Sequence, residues 1–123
     1  MCTLHADNPR EALFKLRTYA MMSAEGLESD ALTDMIARAV QLVLLCRRGR
    51  DGESRWIDTI YEVTGVQGGV FSGHELFVRR EGELRWSGVR PQCEHRLAER
   101  GYDVGHVFRG NGMAGALERR VQW

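Results

Sequence analysis

"MCTLHADNPREAL" (Met1–Leu13) is the stretch on which the fold turns. Cys2-Thr3-Leu4-His5 reads as a buried strand ending in a histidine, and Asn8-Pro9-Arg10-Glu11 reads as a helix start. Asn8 suits the N-cap, Pro9 the first helical position, and Glu11 the place where a capping box closes. A buried strand needs partners for its N–H and C=O groups on both sides. No strand precedes this one in the sequence, so the expectation is an α/β unit entered in its middle and incomplete as a domain.

Outward from that junction, apolar residues at Leu13, Leu16 and Ala20 predict an amphipathic helix from about Pro9 to Met22. Gly26 interrupts it. Ser29 is expected to cap a second helix, whose Leu32, Met35, Ile36, Ala39 and Val40 follow at i, i+3, i+4, i+7 and i+8. Leu42-Val43-Leu44-Leu45-Cys46 is a continuous apolar run, too short for a helix, and predicts a strand buried on both faces. Arg50-Asp51-Gly52 marks a turn. Arg55 to Val63 then alternates, with Ile57, Thr59, Tyr61 and Val63 on one face and Trp56, Asp58, Ile60 and Glu62 on the other.

Gly65 and Gly68-Gly69 mark a further turn. Leu76–Arg80 and Glu83–Ser87 flank Glu81-Gly82 as a hairpin. Pro91 opens a short helix running to Arg100, with Gly101 as its C-cap. From Val104 the periodicity weakens, and residues 104–123 are expected to be a loose tail with a final turn over Gly115–Val121. The predicted class is α/β: a strand, two helices, then antiparallel or mixed strands and a short helix.

Composition bounds what this unit can do. The 123 residues suffice for one core, and 43% apolar with 28% charged residues is a globular balance. Seventeen basic and seventeen acidic side chains cancel, which removes any electrostatic reason to expect nucleic acid or an anionic membrane. No apolar run approaches the roughly 18 residues that a membrane span needs. Three scattered cysteines, Cys2, Cys46 and Cys93, suit a reducing cytoplasm better than a disulfide scaffold.

Few residues carry a chemical signature. His5 ends a strand just before a helix N-terminus, where amides and the helix dipole attract phosphate. It reads either as a phosphate-contacting group or as a histidine hydrogen-bonded at a strand end. Cys2-x-x-His5 and Cys93-x-His95 match neither spacing that structural zinc uses, so no metal is expected. Lys15, the sole lysine, follows Phe14, and no Gly-Lys-Ser/Thr occurs, so the chain has no Walker A loop. Arg47, Arg48, Arg50 and Arg55 gather at a turn, either as a solvated loop or as a surface meeting phosphate or an acidic partner. Trp56, Tyr61, Phe71, Phe77 and Trp86 lie on strand patterns and are expected to pack rather than to stack bases.

Several stretches together resemble one family. "CTLHADNPREALFKL" is similar to the segment that closes the His box of bacterial type II/type IV secretion and tight-adherence pilus ATPases. "ALTDMIARAVQLVLLCRR" resembles the helix and strand that follow it there. "RDGESR" resembles a D-G-x-R turn, "IYEVTG" an I-T-E-V-x-G strand, "HELF" a Q-[DE]-[IL]-F strand, and "SGVRP" a T-G-x-x-P segment. The six occur in order over residues 1–103 and leave 104–123 uncovered. Asp7, Gln41 and Tyr61 stand where the family usually has Asn, Asp and Thr.

The resemblance implies the C-terminal part, residues 1–103, of a RecA-like P-loop motor domain. Such motors form homo-hexameric rings, hydrolyse ATP with Mg, and drive secretion or pilus assembly at inner-membrane platform proteins from the cytoplasmic side. It puts His5 at the His-box position on the γ-phosphate side, with Thr3 on the same strand as a nucleotide-binding candidate. The remaining catalytic parts precede the His box in the family. ATP and Mg are therefore expected to bind the full-length family but not this chain alone. The implied partners are ring subunits or an upstream-encoded N-terminal half, without nucleic acid or membrane insertion. A stand-alone, non-catalytic module docking on a full-length ATPase is the alternative.

Overall fold

Thirteen residues from Arg55 to Gln67 form the longest strand, and the chain is arranged around it. The structure, a computed structural model, describes residues 1–23 and 26–108. Two helices come first, α1 (Pro9–Ser23) and α2 (Ser29–Ala39). Four strands follow: β1 (Leu42–Arg48), β2 (Arg55–Gln67), β3 (Val70–Arg80) and β4 (Glu83–Trp86). A short helix, α3 (Glu94–Glu99), and a 3-10 turn over Gly105–Phe108 complete the described chain. The strands make one sheet in the order β1-β2-β3-β4, antiparallel throughout. The described chain is thus mixed α/β, with a four-stranded antiparallel sheet and three α-helices.

Local chemistry explains the connections. The β2–β3 loop is Gly68-Gly69 at φ +58° and +75°, and the β3–β4 loop is Glu81-Gly82 at φ +53° and +84°. Positive φ at both central residues is the type I′ geometry, whose twist matches that of the flanking strands. Between β1 and β2, Asp51 Oδ1 accepts hydrogen bonds from the Glu53 and Ser54 amides and the Ser54 hydroxyl. The Ser54 hydroxyl, then those amides, hold the Asp51 carboxyl below the usual carboxylate range. At the end of α3, Tyr102 N donates to Leu97 O at 2.9 Å and Gly101 N to Ala98 O at 2.9 Å, a Schellman closure with Gly101 at φ +83°.

The start of α1 follows the expected chemistry closely. Asn8 Oδ1 accepts from Glu11 N at 2.9 Å, while the Glu11 carboxylate reaches back to Asp7 N at 2.7 Å. At α2 the expected cap is displaced by one residue. Ser29 is the first helical residue, and Glu28 is the N-cap without a side-chain bond.

One face of the sheet carries the helices. Leu13, Ile36, Tyr61 and Val63 form the buried cluster, with Leu16, Ala20, Ala37, Val40, Val43 and Phe71 packed around it. Thr33, fully buried between the helices, donates its hydroxyl to Ser29 O at 2.8 Å. The other face carries a row set by register: Leu44 opposite Ile60, Ile60 opposite Phe77, and Phe77 opposite Trp86. Phe108 sits over the far end of that row, its ring centroid 5.9 Å from Phe77 and 5.7 Å from Trp86.

Two strand expectations are corrected. Residues 1–6 form no strand, and Cys2, Thr3 and His5 are exposed. Among the described residues no ladder bond reaches them, and β1, the strand nearest in sequence, pairs only with β2. The Leu42–Cys46 run is a strand, but not one buried on both faces. β1 is the sheet's edge, with Leu45 and Val43 turned toward the helix layer and Leu42 and Leu44 exposed. An apolar run reports a strand, while its burial depends on what lies beside and above it. Within the expected tail, residues 105–108 form an ordered turn with Phe108 buried, and residues 109–123, including the expected Gly115–Val121 turn, lie outside the described residues.

Candidate functional site

The most constrained polar group lies in the middle of β2. Alternation puts Glu62 on the same side of that strand as Ile60, away from the helices, and register sets it between Leu42 of β1 and His74 of β3. Only 3% of Glu62 remains exposed. A buried carboxylate must be compensated, or its desolvation would cost several kcal/mol, of the order of 3–5 where a buried ion pair is broken. Here the segment after β4 supplies the compensation: Gln92 N donates to Oε2 at 2.9 Å and Cys93 N donates to Oε1 at 3.2 Å. These amides stand at the entry to α3, so Glu62 ties that turn to the sheet.

His74 completes the group. Its Nε2 lies 3.1 Å from Glu62 Oε2, within ion-pair distance but off the line of a directed hydrogen bond. A cleft of about 160 Å³ opens beside the pair, lined by Gln41, Glu62, Val63, Gln92, Cys93, His95 and Arg96. That volume falls below the roughly 300 Å³ at which pockets for small organic ligands begin. The Cys93 thiol is pushed up by burial and by the neighbouring Glu62 carboxylate, so it stays a thiol rather than a nucleophile. With both carboxylate oxygens occupied, the arrangement acts as an anchor between the sheet and a strap, the segment from Gly88 to Phe108, whose other, apolar anchor is Phe108 against Phe77 and Trp86. Among the described residues no cluster of three or more His, Cys, Asp or Glu side chains could hold a metal ion.

The residues singled out at the N-terminus lie elsewhere. Thr3 and His5 are exposed in the irregular stretch before α1, and the His5 carbonyl accepts from Lys15 Nζ at 3.0 Å. Lys15 also pairs with Glu11 at 2.8 Å, which lowers the Glu11 pKa and raises that of Lys15. No side-chain hydrogen bond or ion pair joins Thr3 or His5 to Glu62 or His74. Of the arginines at the β1–β2 turn, Arg47 bonds Asp7 O at 2.9 Å and faces Asp58 at 3.7 Å, while Arg48 bonds Gly52 O. The strand aromatics pack: Trp56 lies under the Arg79 guanidinium, Tyr61 is in the core, and Phe77 and Trp86 meet Phe108.

In the sequence Glu62 is visible only as one of two charged residues, with Asp58, on the strand face that also carries Trp56 and Ile60. Its partners, thirty residues on, carry no side-chain signal, since they are backbone amides. No helix among the described residues is long and apolar enough to cross a membrane. Compared with known proteins, the chain matches no family profile and no curated sequence.

Proposed function

We propose that this chain is the C-terminal part of a RecA-like motor domain from a secretion or pilus-assembly ATPase of the cytoplasmic face. The observation that carries the reading is the order of six motif-like segments, from "CTLHADNPREAL" through "SGVRP", at the spacing of that family. The architecture is compatible with it. β1 presents a bare outer edge with Leu42 and Leu44 exposed, and residues 1–6 run unpaired nearby, as a sheet missing neighbouring strands would.

On this reading Thr3 and His5 belong to an ATP and Mg site whose phosphate-binding lysine and acidic groups come from an upstream-encoded half. Positioning of the phosphates is nearly all of phosphoryl-transfer catalysis, and this chain lacks the loop that does it. The isolated protein should therefore show no saturable Mg-ATP binding by calorimetry at millimolar nucleotide. The decisive test is the DNA upstream of the Met1 codon, read in all frames. A coding stretch with G-x-x-x-x-G-K-[ST] supports the reading, and its absence overturns it.

A second reading has one observation in its favour. The core of Leu13, Ile36, Tyr61 and Val63 closes without help from residues 1–6. That suits a non-catalytic module docking on a full-length ATPase ring. Cooperative two-state melting of the isolated chain would favour it, and a broad transition with aggregation would count against it.

A further inference from the structure

We infer that the outer edge of β1 is a docking site for an extended, acidic segment of a partner polypeptide, which adds to the sheet as a further strand and meets the arginines at the β1–β2 turn. The backbone half of this surface follows from the ladder. Val63 N donates to Gln41 O at 2.9 Å, so Gln41 faces β2, and alternation along an antiparallel pair turns the N–H and C=O groups of Leu42 and Leu44 the other way. β1 is the last strand on its side of the sheet, and among the described residues no hydrogen bond takes up those outward groups. The same two residues carry exposed side chains. Leu42 to Leu45 contain no lysine or proline to close the edge, and the bulge comes only after Leu45.

Charge selects the partner. Register sets Arg48 directly opposite Arg55, a like-charge pair that is destabilising on its own. Arg48 is held over the turn by its Nε bond to Gly52 O, which leaves its Nη groups without an acceptor among the described residues. Arg50 and Arg55 have no ion pair or side-chain hydrogen bond among the described residues. The nearby acids are engaged elsewhere or stand apart. Asp58 faces Arg47 at 3.7 Å, Asp51 is bonded inside the turn, and among the described residues Glu53 is in ion-pair contact with no arginine. A carboxylate matches the guanidinium fork that these side chains present.

The edge therefore has two ends, apolar at Leu42 and Leu44 and positive at Arg48, Arg50 and Arg55. A segment running antiparallel to β1 fits both with acidic residues in its N-terminal half and alternating apolar residues in its C-terminal half. Its main chain then pairs with Leu42 and Leu44. A free anion would satisfy the arginines but not the edge. A second copy fits less well, because pairing β1 against β1 brings the end of its own α2, where Arg38 stands, toward the arginines. The surface owes nothing to the motor-domain reading, since its groups all lie on β1, β2 and the turn between them.

The test is an NMR titration of the intact chain at low salt with a short synthetic peptide, its first half Glu and Asp and its second half alternating Val and Thr. Amides from Leu42 to Arg48 should shift saturably, and those of Leu42 and Leu44 should gain protection from exchange. A peptide with Lys in place of the acids should bind about tenfold more weakly. Arg48→Gln and Arg55→Gln should each weaken binding about two- to fivefold, the scale of exposed ion pairs. Leu44→Pro removes an outward N–H that no ladder bond uses, so it should abolish binding while the β2–β3 amides keep their protection. Should the proline disturb that ladder, the arginine variants and the Lys peptide still decide. Absence of saturable shifts, equal binding of the Lys peptide, full binding by both arginine variants, or β1 shifts that grow with protein concentration alone, as in self-pairing, each overturns the proposal.

Discussion

Tyr61 occupies the space that a side chain at Gly73 would need. A Cβ placed on Gly73 would lie 2.6 Å from Tyr61 Cε1 and 2.7 Å from its hydroxyl, and would also strike the Glu62 carbonyl. Tyr61 is 4% exposed and its hydroxyl has no partner, so the ring is held by packing alone. Neither a buried ring nor a ladder carbonyl can retreat. Gly73→Ala should therefore cost about 1–3 kcal/mol, the range of core overpacking, in urea unfolding. A wild-type midpoint would show that the ring has room to move.

Phe108 tests the apolar anchor. It is 8% exposed against Phe77 and Trp86. Phe108→Ala should cost about 3 kcal/mol if the strap and sheet unfold together. If they separate, exchange should rise at residues 94–107 while the β2–β3 ladder keeps its protection. Unchanged exchange in both regions would place the docking energy elsewhere.

Glu81 is a stabilisable position. Its φ of +53° is strained for a side chain with a β-carbon, and its ion pair with Arg85 is exposed. Asparagine tolerates this conformation and completes the Asn-Gly pair that type I′ turns favour. Glu81→Asn should raise stability by about 0.5 kcal/mol, since surface ion pairs contribute little. A loss measured by thermal melting would mean that the Arg85 pair outweighs the turn.

Acid should loosen the first turn of α1. The Glu11 pKa is lowered, first by Lys15 and then by the Asp7 amide. A carboxyl held below its unfolded value contributes stability that is complete above the ordinary glutamate range, about 4.3, and lost as pH falls through the lower folded value. Exchange at the Asp7 amide should therefore accelerate below pH 4 beyond its intrinsic trend. Glu11→Gln should abolish that dependence, and an identical profile in the variant would assign it to another group.

Much of the local structure is legible in the sequence. The Asn8-Pro9-Arg10-Glu11 start, Glu81-Gly82 and the Gly101 stop all depend on contacts within a few residues, whereas the α2 stripe is met only in part: Leu32, Ile36 and Val40 turn to the core, and Met35 and Ala39 are exposed. Such signals survive in sequence because the interacting groups are close along the chain. Cys2–His5 reads as a strand because its apolar, β-prone character is a local property, whereas a strand exists only where a ladder receives it. The Leu42–Cys46 run is a strand, but its place at the sheet's edge, and so its partial exposure, is not written in its own residues.

By itself, then, the sequence determined the two helices, the turn chemistry and the alternation that sends Tyr61 and Val63 one way and Ile60 and Glu62 the other. Only the tertiary structure decided that β1 is an edge, that Phe108 belongs to the second face, and that Glu62 is buried against His74 and two strap amides. The division has a physical cause. Helix, turn and pleat follow from short-range sterics and hydrogen bonds. Burial of a charge depends on which distant backbone groups arrive to replace water, and backbone amides look alike at every position of a sequence.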